Sequence, residues 1–345
     1  MKLREEILGQ AKRIVIKLGS GLLTDERNRL SVAQIERLAA QVTALQGQGK
    51  QCVLVSSGAI AAGMGALGFE RRPKLLPELQ AAAAIGQGKL MGVYDDVFGK
   101  LGVQVAQVLL THEDLKVRTR HLNARNTLDT LLARGVIPII NENDTVAVDE
   151  IKFGDNDRLG ALTATLIDAD LLIILSHVAG LLDREKRLVT TVPAVTREIE
   201  ALAGGTDRAT SVGGMISKLA AAKIVTRAGM PMLIASGDRS NVLVDLVRGE
   251  DVGTIFLPHD GKLASRKRWI AFFQNPAGKL TVDDGAKRAL CDGGKSLLAK
   301  GVVRTEGECT AGAVVSICGA DGVEFARGLA RTGTVLVHRD DLVIL

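Results

Sequence analysis

Short runs of aliphatic and β-branched residues alternate with longer stretches of helical period over most of the chain. Arg13–Leu18 (RIVIKL) reads as a strand, Val32–Leu45 carries apolar residues at helical spacing, and Cys52–Val55 reads as a second strand, so the opening predicts a βαβ unit. Further strand-sized runs stand at Val103–Leu110, Val136–Ile140, Leu171–Leu175 and Met232–Ile234, each separated by helical or mixed sequence. Strands joined through helices pair in parallel, and the expected result is a largely parallel sheet covered by helices. Between Phe256 and Gly278 the alternation stops, interrupted by two prolines, a basic SRKRW run and a paired Phe. From Lys279 onward the segments KLTVD, KGVVRT, AVVSIC, VEFARG and TVLVHR are broken by glycines and charged turns, with a helical Asp284–Cys291 among them. The pattern predicts a large α/β domain over 1–258, a linker over 259–276 and a small β-rich domain over 277–345.

Length agrees with two domains, since 345 residues exceed the roughly 150 of a typical one. Apolar residues make up 46% and charged residues 24%, a globular balance that excludes disordered, collagen-like and coiled-coil classes. Aromatics are only 3% while Gly numbers 38, so the core must be built from Ala, Val, Leu and Ile. The longest apolar runs are strand-sized, well short of the roughly 18 residues that span a bilayer, and no membrane contact is expected. Residues 1–13 mix charge into every turn and lack the apolar stretch of a secretory signal, which points to the cytoplasm. The net charge of +5 is interspersed without a block of like sign, so charge gives no reason to expect nucleic-acid binding.

Some motifs mislead. Gly63, Gly65 and Gly68 (GMGALG) have the spacing of a dinucleotide fingerprint, but that motif must open the helix after the strand, and here a helix already begins near Ser57. A C-terminal helix stop explains them better. Gly294, Lys295 and Ser296 end like a phosphate loop, yet the position of its first glycine is Ala289. Neither the four cysteines nor the five histidines fall at metal-ligand spacings, so no protein-bound metal is expected.

The chemistry gathers instead where strands end and helices begin. Lys17, Gly19, Ser20 and Gly21 (KLGSG) close the first strand, where small residues let backbone N–H groups approach an anion and a lysine neutralises it. The second strand ends in Ser56, Ser57 and Gly58, which set hydroxyls and a helix N-terminus at the same sheet edge. Asn141–Asp144 (NEND) closes VIPII, and GDND opens the helical RLGALTATL, more acids and amides than helix capping needs. Gly213, Gly214 and Met215 precede Ile216, Ser217 and Lys218, so a glycine turn aims Lys218 near a helix N-terminus, a natural phosphate contact.

Taken in order, VIKLGSGLL, VSSGAIAAG, INENDTVA, KFGDNDRLGA and GGMISK resemble the bacterial glutamate 5-kinases of the amino acid kinase family, and the tail resembles the PUA-like domain those proteins carry. The resemblance implies a three-layer αβα sandwich with a mostly parallel central sheet, followed by a small β-rich PUA-like domain. It implies transfer of the ATP γ-phosphoryl group, with Mg²⁺, to the side-chain carboxylate of L-glutamate, giving L-glutamyl 5-phosphate for proline synthesis. By the same resemblance Lys17 and Lys218 spread cationic charge over the transferred group and Asp157 orients both. Ser57, Gly58, Asp144 and Asn156 would hold glutamate. The nucleotide would lie across Lys17, Gly19, Ser176, His177 and the segment Ser211, Val212, Gly213, Gly214, Met215, Ile216, Ser217 and Lys218. Proline as a feedback inhibitor and a homodimer or homotetramer are further implications.

The sequence also departs from that pattern. His177 stands where the family usually has Asp, Leu182 replaces an aromatic residue, and the loop Asp183–Pro193 is short. A helical segment usual before the last strand is missing from the tail, so the PUA-like domain is shortened and RNA binding is not expected. Two alternatives follow: a non-catalytic amino-acid sensor that has lost nucleotide chemistry, and a related kinase acting on another small amino acid.

Overall fold

The computed structural model describes residues 2–25, 29–147, 156–203, 214–259, 261 and 263–345. The chain divides into two compact units, Met1–Gly261 and Lys262–Leu345.

The first unit is built on eight strands: β1 (Arg13–Leu18), β2 (Gln51–Ser56), β3 (Val105–Leu110), β4 (Ile137–Glu142), β5 (Leu171–Ser176), β6 (Thr191–Val192), β7 (Met232–Ser236) and β8 (Thr254–Phe256). They lie in the order β3-β4-β2-β1-β5-β7-β8-β6. Neighbours pair in parallel from β3 through β7, as the helical connections require, whereas β8 runs antiparallel to β7 and pairs in parallel with β6. The short strands β6 and β8, too brief to leave a periodic signal, complete the edge.

Alternation in the central strands separates two helical layers. Ile14, Ile16 and Leu18 of β1 share one core with Leu38, Val42 and Leu45 of the helix Val32–Gly47 and with Tyr94 and Phe98 of the helix Leu76–Lys100. Lys17 points to the other face, where Gly160 of the helix Asn156–Leu166 comes down on its stem. Helices on both sides of a mostly parallel sheet make the three-layer αβα sandwich that the sequence pattern and the resemblance imply.

One boundary moves. The helix expected to begin near Ser57 begins at Ala59, because Gly58 is left-handed at φ 106° and stands outside it as the N-cap. A side chain would strain that conformation, whereas glycine adopts it freely. The GMGALG glycines do fall at the far end of this segment, with Gly68 left-handed at the stop.

The second unit holds β9 (Gly278–Val282), β10 (Leu297–Leu298), β11 (Val302–Gly307), β12 (Val314–Cys318), β13 (Glu324–Ala330) and β14 (Val335–Ile344), in the order β10-β14-β13-β12-β9-β11. Leu280, Val282, Val315, Ile317 and Val337 form its core with Leu290 from the helix Asp284–Cys291. Residues 265–273, read from sequence as part of a linker, are helical and belong to this unit. Ile270 and Ala271 pack on Val314 and Val343, and Arg327 hydrogen-bonds the carbonyls of Ala271 and Gln274. Ile270, Ala271 and Phe273 of the apolar WIAFF segment are therefore buried, which a solvated linker would not allow.

Candidate active site

The carboxyl ends of β1, β2 and β5 and the starts of the helices that follow bring the polar motifs to one edge of the large sheet, where parallel α/β sheets bind their ligands. Lys17 is the penultimate residue of β1, Asp157 the second residue of the helix Asn156–Leu166, and Lys218 the fourth residue of the helix Met215–Arg227. The fold joins all three. Lys17 Nζ lies 2.7 Å from Asp157 Oδ1 and Lys218 Nζ lies 3.0 Å from Oδ2, with Asp157 fully buried and both lysines nearly so.

The single hydrogen of Ser217 Oγ is shared between the same Oδ2, 2.7 Å away, and the Gly214 carbonyl, 2.8 Å away, pinning the first turn of its helix. Burial alone would push the Asp157 carboxyl up, but the Lys17 and Lys218 charges, with hydrogen bonds from Lys17 and Ser217, hold it below the usual carboxylate range. Both oxygens of this carboxylate face ammonium groups. The cluster is therefore suited to meeting a polyanion rather than to ligating a cation.

One residue before Asp157, Asn156 belongs to a second cluster. Its Nδ2 donates to the Ser56 carbonyl at 3.0 Å, to Ser57 Oγ at 2.7 Å and to Asn141 Oδ1 at 3.0 Å. Since two hydrogens serve three acceptors, one is shared, and Asn156 Oδ1 is the end left to meet a positively charged group. Behind this cluster Ser56 Oγ and the buried Tyr94 hydroxyl lie 2.8 Å apart. Asp144 stands in the turn after β4, half-buried. Burial pushes its carboxyl up to about 6 against the opposing pull of the Arg72 charge.

The predicted nucleotide residues divide. Gly19 N–H bonds the Leu175 carbonyl at 3.1 Å, which sets the KLGSG loop against the end of β5. A Cβ on Gly19 would stand 3.9 Å from Lys17 Nζ, and one on Gly21 would stand 2.8 Å from His177 Nε2, so the imidazole lies directly over Gly21 and would have to turn aside for a side chain there. Ser176 ends β5, and the exposed His177 pairs through Nδ1 with Asp238 Oδ2 at 3.1 Å.

The helix expected to follow Lys218 starts at Met215 and takes Met215, Ile216, Ser217 and Lys218 into its first turn, with Ile216 turned to solvent. Ser211, Val212 and Gly213, like Asp155, lie outside the described residues. Leu182 forms a bridge with Leu188 across the short 183–187 turn. Sequence reasoning passed over Asp238, Arg72 and Gln87, none of which sits in a recognisable motif. Only the fold brings them to these groups.

A family model described as "Amino acid kinase family" matches residues 12–236, and one described as "PUA domain" matches residues 278–335. The chain belongs to the amino acid kinase family. Its similar relatives include proteins named glutamate 5-kinase from Pelobacter propionicus, at 46% identity, and from Geobacter metallireducens, at 48%, each covering 99% of this chain and 100% of the relative. A glutamate 5-kinase from Moorella thermoacetica is 45% identical over 98% of this chain and 97% of its own length.

The alignments with the first two run to 373 positions, more than the 345 residues of this amino acid kinase, so the relatives hold residues for which it has none. Among solved structures, a carbamate kinase from Giardia lamblia bound to AMP-PNP matches at a TM-score of 0.52 and 20% identity, over 73% of this chain and 100% of that one. At that identity the likeness is one of fold. Among the described residues of this amino acid kinase, no helix is long and apolar enough to cross a membrane.

Proposed function

We propose that the protein is a glutamate 5-kinase, transferring the γ-phosphoryl group of ATP to the side-chain carboxylate of L-glutamate. The observation that carries this reading is the adjacency of two chemically different clusters on consecutive residues. Asp157 faces the buried lysines, and Asn156 faces the serine and amide groups suited to an amino acid.

The reaction matches the groups present. A carboxylate of pKa about 4.3 is already ionised at neutral pH and needs no general base. One of its oxygens bonds to the γ-phosphorus as the bond from that phosphorus to the β,γ-bridging oxygen breaks, leaving ADP and an acyl phosphate. The obstacle is an anion approaching a polyanion, so catalysis rests on position and on cationic charge.

Lys17 and Lys218 supply that charge from rigid elements, held by Asp157. ATP enters as its Mg²⁺ complex, the metal carried on the phosphates. Ser57, Gly58, Asp144 and Asn156 receive glutamate, Asp144 and Asn156 Oδ1 accepting from its ammonium. The KLGSG loop, Ser176, His177 and the 211–218 segment receive the nucleotide. Proline, which shares the α-carboxylate and amine of glutamate, would compete at the same pocket. The protein would work in the cytoplasm as a homodimer or homotetramer.

The test is glutamate-dependent ADP release by the purified protein with Mg²⁺ATP, the product trapped as its hydroxamate, with aspartate, N-acetylglutamate and added proline as further arms. Glutamate-specific turnover is the expected result. Turnover with another acid alone would reassign the acceptor, and none with any acid would leave an amino-acid sensor.

A further inference from the structure

Backbone groups fix the orientation of the amide side chains behind Ser57. A main-chain N–H can only donate, so the atom 2.9 Å from Glu142 N is the oxygen of Asn141. A main-chain carbonyl can only accept, so the atom 3.0 Å from the Ser56 carbonyl is the nitrogen of Asn156. With its oxygen committed to Glu142 and to Asn156, Asn141 turns its nitrogen onto Gln87 Oε1, 2.8 Å away. Gln87 Nε2 is thereby directed elsewhere. It is buried there and, among the described residues, has no hydrogen-bond partner.

Desolvated amide donors without an acceptor are rare in native folds, and such a group calls for an explanation. Gln87 stands beside the amino-acid cluster by another route as well. The preceding residue, Gly86, lies so close to the helix Ala59–Met64 that a Cβ there would overlap the Ala59 carbonyl, and Ala59 directly follows Ser57 and Gly58.

We propose that Gln87 is a substrate-binding residue of the amino-acid pocket: Oε1 holds the Asn141–Asn156 relay in one orientation, and Nε2 donates to a carboxylate oxygen of the bound amino acid. The inference rests on the glutamate reading above. An ionised carboxylate is the fitting partner because it only accepts, and the substrate brings two of them. Gln87 then contributes twice to selectivity. Through the relay it keeps Asn156 Oδ1 toward the ammonium, and through Nε2 it recognises an acid directly.

Two substitutions separate these contributions. Gln87→Glu keeps an acceptor toward Asn141 but replaces the donor by an oxygen that repels a carboxylate, whereas Gln87→Met removes both. Steady-state kinetics in glutamate and in ATP, with melting curves at rising glutamate, read the result. For Gln87→Glu the glutamate KM should rise by about tenfold or more, with the ATP KM unchanged. Gln87→Met should raise the glutamate KM and also lower the melting temperature, because Asn141 loses its acceptor. A Gln87→Glu enzyme with wild-type glutamate KM overturns the Gln87 assignment alone. Wild-type protein with neither glutamate turnover nor a glutamate-induced melting shift overturns the assignment together with the reading beneath it.

Discussion

Asp157 Oδ1 lies 2.7 Å from Lys17 Nζ, tying the end of β1 to the first turn of the helix Asn156–Leu166. The contact depends on how closely that helix settles on the sheet. One turn further on, a Cβ at Gly160 would already stand 3.3 Å from Lys17 Cβ, so a larger residue there would lift the helix from the lysine stem. The same carboxylate reaches Lys218 at 3.0 Å, and three separate segments meet on one buried anion.

Replacing Asp157 by Asn should cost about 3–5 kcal/mol of stability at neutral pH, because it leaves buried lysine charge uncompensated. The sign of the pH dependence follows from the lowered carboxyl. Its stabilisation is present above the unfolded pKa of about 3.9 and is lost as pH falls through the lower folded value. Urea unfolding of both proteins should show a wide gap from neutral pH down to that region and a shrinking gap in stronger acid. A gap that ignores pH would refute the ion-pair account.

Lys218→Ala should lower kcat by about 10²–10³ while moving the glutamate KM little, since the role proposed for its charge lies in the transfer of the phosphoryl group. Initial rates in glutamate at saturating ATP measure both constants. Unchanged turnover would remove Lys218 from the transfer step.

Asp144 should make glutamate binding sensitive to acid. With its carboxyl pushed up to about 6, lowering the pH below that value protonates the group proposed to accept the substrate ammonium. The glutamate KM should then climb toward about tenfold per pH unit while the ATP KM stays level. Asp144→Asn should start from a raised KM and lose this slope. An Asn variant with the wild-type profile would place the titration in another group.

Gly86→Ala should lower stability by about 1–3 kcal/mol, because the added methyl meets the Ala59 carbonyl and the Gly63 backbone, neither of which can rotate away. The displaced helix begins beside Ser57 and Gly58, so the glutamate KM should rise with the fall in melting temperature. A stable variant with normal kinetics would show that the crossing can relax without reaching the pocket.

His177→Ala should leave the melting temperature unchanged, because the imidazole and its Asp238 partner are both exposed and such pairs contribute about 0–1 kcal/mol. The ATP KM should rise nonetheless, through loss of the ring that covers Gly21. An unaltered ATP KM would reduce His177 to a strand end beside solvent.

Long apolar strands and periodic helices were legible because burial on both faces of a parallel sheet writes itself into consecutive residues, as in RIVIKL and LLIIL. The edge strands β6 and β8 were not, since Thr191–Val192 and Thr254–Phe256 are too short for any period to register. Residues 265–273 looked like linker because WIAFF lacks alternation. Its burial depends on Val314 and Val343, which are far away in the chain.

The sequence by itself determined the chemistry available at each strand end: a lysine among glycines after β1, hydroxyls after β2, acids and amides around β4 and the following helix, and a lysine after a glycine turn. Local spacing suffices for this, because a strand that stops and a helix that starts must expose their polar ends. Only the tertiary structure decided which of these groups meet. Asp157 lies 140 positions from Lys17 and 61 from Lys218 in the chain, and nothing local specifies a contact across those distances. Parallel pairing of β1 with β2 and β5, and helices close enough to touch at Gly160 and Gly86, bring the lysines to one carboxylate and leave Gln87 Nε2 buried without a hydrogen-bond partner among the described residues.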